Sequence, residues 1–222
     1  VSNKVGDFMD NNSIMYQSPT LDLMGASVTA HLGYSPQASD TAVGDGGSVT
    51  YSESIGSGKE AGLTIAYEGL KLGVYGAERD RTVPQVAGAT GMYETDEFNG
   101  SWYAKYSFGP VSVGYSEFYF DAGVTSGVQT VNAAVTHRTG GGIFTGDQMS
   151  IAFNVNDNMS ISYTTSDETY DTQDDAASAV TTDDDVTQSI DAIQVAYSMG
   201  GMSVKAYNME VTNPSQDDNA AD

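Results

Sequence analysis

The chain has no cysteine, so neither a disulfide framework nor a thiolate metal site can form. Histidine is nearly as scarce. His31 and His137 are the two present, far apart in sequence, so a histidine-based metal or catalytic pair is not expected. Bases are few: 8 Lys+Arg stand against 30 Asp+Glu, a formal charge of -22. Such a chain does not bind nucleic acid through a basic surface, and it attracts cations instead. Only 5 prolines occur, which argues against a Pro-rich disordered tract. No apolar run approaches the roughly 18 residues of a membrane-crossing helix. No G-x-S-x-G elbow, H-E-x-x-H pair or phosphate-cradling glycine loop is found, so no enzymatic activity is expected. Val1 opens neither a charged start nor an apolar core, so no signal peptide is expected there and the sequence reads as a mature or interior portion.

What is abundant is glycine (25), tyrosine (14) and alternation. Tight turns are expected near Thr20-Leu21-Asp22, Gly69, Gly109-Pro110, Asn156-Asp157-Asn158 and Gly200-Gly201. Four long polar segments, 34–59, 80–97, 121–147 and 166–186, alternate with them. Between these, apolar residues recur at every second position. Ala26, Val28, Ala30, Leu32 and Tyr34 share a face, as do Leu63, Ile65 and Tyr67, then Leu70, Leu72 and Val74. The series continues with Trp102, Ala104, Tyr106 and Phe108, then Val111, Val113 and Tyr115. It ends with Met149 to Val155, Met159 to Tyr163, Ile193 to Met199 and Met202 to Ala206. The opposite positions are mostly Ser, Thr, Gly and Ala. About ten strands in five hairpins are expected, in a single domain over 1–222.

Of the 30 acids, 21 lie in the long segments or in the tail from Glu210. A soluble sandwich would spread charge over its solvent face. Short turns on one side, long charged loops on the other and strands half apolar and half small-polar are the pattern of a transmembrane antiparallel β-barrel. Tyr16, Tyr34, Tyr67, Tyr106 and Phe108 near strand ends suit its interfacial aromatic girdles. The run Asp183-Asp184-Asp185 is a weak candidate for loop-bound Ca²⁺. It lacks the spacing of a Ca²⁺ loop and reads better as solvated charge; otherwise no cofactor is expected.

Three stretches resemble the Gram-negative general porins of the large trimeric type, in a form like that of alphaproteobacteria. Asn12-Ser13-Ile14-Met15-Tyr16-Gln17-Ser18-Pro19 is similar to the strand that follows the constriction loop in that family. Gly25 to Tyr34 looks like its paired strand, and Ile193 to Ala206 like the penultimate hairpin. The resemblance implies an outer-membrane, water-filled channel for passive diffusion of small hydrophilic solutes. It also implies a homotrimer in contact with membrane lipid and lipopolysaccharide, and a full barrel of about 16 strands. It makes 1–12 the tail of the constriction loop, and the chain an interior portion of a longer protein.

The sequence departs from the family at Met15, where the family has a lumen-facing arginine, and at Gln17, where it has an acid. The pore-lining candidates are therefore Asp7, Asp10, Met15, Gln17, His31, Lys71, Lys105 and Lys205, with the lysines opposing Asp7 and Asp10. A cation preference is expected from the acidic excess. Two rivals stand beside this expectation: a plugged barrel serving as adhesin, phage receptor or other surface-binding protein, and a soluble sandwich or solenoid that buries the apolar faces.

Overall fold

A computed structural model describes residues 13–36, 54–84, 92–94, 96–121, 124–131, 135–140, 143–171 and 186–214, and its regular structure there is almost wholly β. The first half supplies β1 (Ile14–Gln17), β2 (Leu21–Leu23), β3 (Ala26–Ser35), β4 (Ser54–Tyr67), β5 (Leu70–Pro84), β6 (Met92–Glu94) and β7 (Glu97–Phe108). The second half supplies β8 (Val111–Asp121), β9 (Val124–Val131), β10 (Val135–Gly140), β11 (Ile143–Asn156), β12 (Met159–Asp171), β13 (Val186–Met199) and β14 (Met202–Thr212). One antiparallel sheet runs β1-β3-β4-β5-β7-β8-β11-β12-β13-β14, with β2 beside β3 and β6 beside β5. The described sheet is open, with β1 and β14 at its edges. The all-β expectation holds; closure into a barrel is a further step, taken below.

Four of the five expected tight turns fall where the glycines and asparagines put them. Glu68 and Gly69 both take positive φ (49° and 128°), and Gly69 has no freedom to change. A Cβ there would lie 2.5 Å from the carbonyl oxygen of Ser107, on the neighbouring β7. The first turn differs from expectation. It falls at Met24-Gly25, where Asp22 Oδ1 accepts a hydrogen bond from Gly25 N at 3.0 Å, so Leu21 and Asp22 belong to β2. The strand facing β3 is instead broken at Ser18-Pro19-Thr20, since proline cannot donate to a ladder. Ser18 spans the break: its N–H donates to Ala30 O and its Oγ accepts from Ala30 N, both at 2.9 Å.

The long segments also differ from expectation. Strands continue well into them, and 121–147 holds the separate hairpin β9–β10, which approaches β5. The ladder persists there because Thr, Tyr and Ser suit a pleated surface with or without apolar alternation. Thr169 and Thr187 pair across β12 and β13, their hydroxyls 2.7 Å apart.

From β5 onward, tight-turn ends step steadily across the sheet. Leu70 pairs with Tyr106, two residues above the end of β7; Val111 with Phe153, two above Val155; Met159 with Tyr197, two above Met199. This one-directional stagger of about a residue per strand is the kind a tilted, barrel-forming sheet carries.

Candidate functional site

Cross-strand register assigns every strand residue to one of two faces. Starting from the tight turns, one face is apolar and open. Among the described residues Ala77, 2% exposed, is the one buried hydrophobic side chain, whereas Met149, Ile193 and Val204 are 55%, 53% and 52% exposed. The apolar residues therefore do not form a core; they form an exposed sheet surface.

That surface ends at a constant height. On this face the first charge met from each tight turn is eight residues away on six strands: Tyr67 to Lys59, Leu70 to Glu78, Val155 to Asp147, Met159 to Asp167, Met199 to Asp191 and Met202 to Glu210. On β8 it is six, Val111 to Glu117, while on β3 and β7 the eighth place holds Tyr34 and Gly100. Eight residues of strand span about 26 Å, or about 20 Å along the normal to the sheet's rim at a strand tilt of about 40°. We call this row of charges the belt.

Aromatic rings reach toward it from below. Tyr163 OH donates to Asp191 at 2.5 Å, Tyr115 OH to Glu117 at 2.6 Å and Trp102 Nε1 to Glu117 at 2.9 Å. Each thus keeps its ring on the apolar band and its polar atom on a belt carboxylate. Three belt carboxylates are direct cross-strand partners: Glu117 faces Asp147, and Asp147 faces Asp167. Asp147 stands on the far side of the band from the tight turns. Partial burial first, then Asp167 and Glu117 on either side, push its carboxyl above the usual range.

Beyond the belt the two faces exchange character. On β8 the apolar series Val111, Val113, Tyr115 gives way to Glu117 and Asp121, while the opposite face passes from Ser112, Gly114 and Ser116 to Phe118 and Phe120. β11 does the same, with Phe144 on the formerly polar face. There Phe120, Phe144 and Tyr170 form a row of tilted rings across β8, β11 and β12, with ring centroids 6.1 and 4.6 Å apart. Asn99, Glu97, Ser35 and Ser166 are buried at or above belt height on this same face. Arg79, on β5, pairs with Glu97 across to β7 in a largely buried ion pair.

The sequence-predicted pore residues fall on the polar face wherever they are described: Met15, Gln17, His31, Lys71, Lys105 and Lys205. They do not form one site. Met15, Gln17 and His31 gather at the β1 edge around a cleft of about 310 Å³ that also takes in Glu60 and Tyr75. Glu60 lies across Gly33, and Tyr75 lies across Gly62, where neither glycine could carry a Cβ without displacing it. Tyr75 OH and Thr64 Oγ1 are 2.8 Å apart, and its ring lies 6.2 Å from His31 and 6.4 Å from Tyr103. Lys71 and Lys105 face each other directly but lie close to the tight turns, about 13 Å along β3 from His31's level. Lys205 stands on the far edge strand, β14. Asp7, Asp10 and the Asp183-Asp184-Asp185 run lie outside the described residues.

Sequence reasoning missed Glu60, the Arg79–Glu97 pair and the belt. It also missed Glu78, Asp80 and Asp96, the one group among the described residues whose carboxylate oxygens come within 4.8 Å of one another. Glu78 approaches Lys59 at 3.9 Å and Asp80 accepts from Ser57 at 2.5 Å, so both already have partners. The signal that could have exposed the belt was in plain view: the eight-residue interval from tight turn to first same-face charge, repeated on six strands.

Comparison with protein-family models, curated proteins and solved structures finds no match. What the chain does must be read from its geometry.

Proposed function

We propose that this chain is the wall of an outer-membrane porin: a water-filled β-barrel channel for passive diffusion of small hydrophilic solutes and ions, with a preference for cations. The observation that carries the proposal is the exposed apolar face bounded, eight residues from the tight turn on six strands, by a charged belt. A contiguous apolar surface of this size on a soluble protein would drive association. Facing lipid, it needs no cover, and only a closed barrel satisfies the backbone hydrogen bonds of such a sheet inside a membrane. The opposite face, small and hydroxyl-rich below the belt, suits a water path and needs no catalytic group. Over the whole chain 30 acids stand against 8 bases, which favours cations, an effect that salt weakens. Trimeric assembly and contact with lipopolysaccharide follow from the resemblance to general porins.

The hairpin β9–β10, which returns to approach β5, favours one second reading: a barrel obstructed by its own loop and used for surface binding. Planar-bilayer recording under a KCl gradient separates the two. Stepwise conductance with a cation-favouring reversal potential is expected. Conductance with an anion-favouring reversal potential would keep the channel and overturn the cation preference. Persistent silence from inserted protein would overturn the channel and leave the obstructed barrel.

A further inference from the structure

On the polar face, near the β1 edge, register sets Met15 of β1 opposite Gly33 of β3, and Gly33 opposite Glu60 of β4. The three form one cross-strand row. Gly33 carries no side chain, and the Glu60 carboxylate lies across it, on the side of β1. The next side chain in the row is Met15, whose thioether offers no donor. Glu60 Oε2 is buried and accepts no hydrogen bond among the described residues. A buried carboxylate oxygen without a donor is costly, and native structures normally supply one.

Beside this row is the cleft of about 310 Å³. A second glycine, Gly62, opens it, and the Tyr75 ring lies across that glycine. The Tyr75 hydroxyl is 2.8 Å from Thr64 Oγ1, so the ring is what this residue offers the cleft. The His31 ring stands 6.2 Å from it, and Gln17 is the cross-strand partner of His31. Among the described residues Glu60 is the one acid lining the cleft, and no lysine or arginine lines it.

The chemistry of an occupant follows from this lining. A hard metal ion needs several converging oxygens, and the cleft brings one carboxylate. An anion would meet that carboxylate and no fixed base. A small organic ammonium suits all three kinds of group. Its N–H donates to Glu60, its charge is drawn to the Tyr75 ring, and its carbon chain lies against Met15. The volume stands at the small end of ligand pockets, which suits a solute of a few heavy atoms.

We propose that Glu60 is the cation-binding residue of the polar face, and that its cleft receives small organic ammonium solutes because Met15 leaves the carboxylate without an internal partner. The proposal rests on the reading of the polar face as a channel wall, and two measurements keep the two apart. Saturation-transfer NMR on the refolded protein in detergent micelles reads binding of n-butylammonium without requiring conduction. It would be run at about pH 8, where free imidazole is neutral. Glu60→Gln keeps the shape, removes the charge and should weaken binding about tenfold. Met15→Arg sets a guanidinium in the same row and should abolish binding with Glu60 untouched. Glu68→Gln removes an equal charge at the β4–β5 turn and should leave binding unchanged. In a planar bilayer the same amine should reduce the K⁺ current, and Glu60→Gln should need about tenfold more of it. Equal binding by wild type and Glu60→Gln, or an equal loss in Glu68→Gln, would overturn the site, while steady conductance would keep the channel. Glu60-dependent binding that leaves the current of an open channel unchanged would overturn the site's place on the solute path. Glu60-dependent binding by inserted protein that never conducts would overturn the channel reading and keep the ammonium site.

Discussion

The strands behave as two molecules joined at the belt. Between the tight turns and the belt, side chains such as Val74, Ile151 and Ile193 share one face and stay exposed, while Ser112, Ser150 and Ser162 line the other face. Beyond the belt, acids and threonines share the outward face with the exposed Phe98 and Tyr119, while Phe120, Phe144 and Tyr170 share the other face with the buried Asn99 and Glu97. The upper half thus has a packed inner side, built of aromatic rings and buried polar groups. The lower half has an exposed apolar face instead. One continuous hydrogen-bonded ladder passes between the two, and in the function proposed above the belt is where the sheet leaves lipid for water.

The comparison can be broken most forcefully in the upper interior. Arg79→Met leaves Glu97 buried without its guanidinium, and the loss expected is about 3–5 kcal/mol, measured by urea unfolding from lipid vesicles. A small effect would mean that the upper half has no real interior. Next comes a pair of lysines on one strand and one face. Ile151→Lys lies in the middle of the lower band and should cost about 2–4 kcal/mol in the same assay. Thr145→Lys, above the belt, should change stability by less than about 0.5 kcal/mol. Equal costs at the two positions would erase the boundary. Gly69→Ala follows, with about 1–2 kcal/mol lost, because the backbone is held at positive φ against Ser107 O. The smallest effect is electrical. Replacing both Lys71 and Lys105 by glutamine removes two facing bases from the polar face proposed to line the channel, and the reversal potential under a KCl gradient should shift further toward cations. No shift would place these lysines away from the ion path.

Much of the lower half was legible in the sequence because its signal is local. Alternation such as Val111, Val113, Tyr115 against Ser112, Gly114, Ser116 needs only two solvents and a two-residue period, and tight turns announce themselves through Gly69, Gly109 and Gly200. The upper half was harder. In β8 the apolar residues shift by one place between Tyr115 and Phe118, so the period survives while its phase inverts, and a search for one apolar face reads the rest as loop. The first turn was misplaced because Pro19 signals a break as strongly as Asp22 and Gly25 signal a turn. Of the candidate site, sequence alone put Met15, Gln17, His31 and the lysines on the polar face. It could not assign their heights, because strand stagger is set by pairing between segments. The Arg79–Glu97 pair arises from register between β5 and β7, which no single segment encodes.

The most direct test of the account uses the absence of cysteine. Three single-cysteine variants, Ser150→Cys, Ile151→Cys and Thr145→Cys, would be reconstituted in lipid vesicles and exposed to a membrane-impermeant maleimide. The account predicts labelling at positions 145 and 150 and protection at 151, one residue from 150 on the same strand. Labelling at 151 with protection at 150, or equal labelling of both, would contradict the assignment of the apolar face to lipid and of the polar face to water.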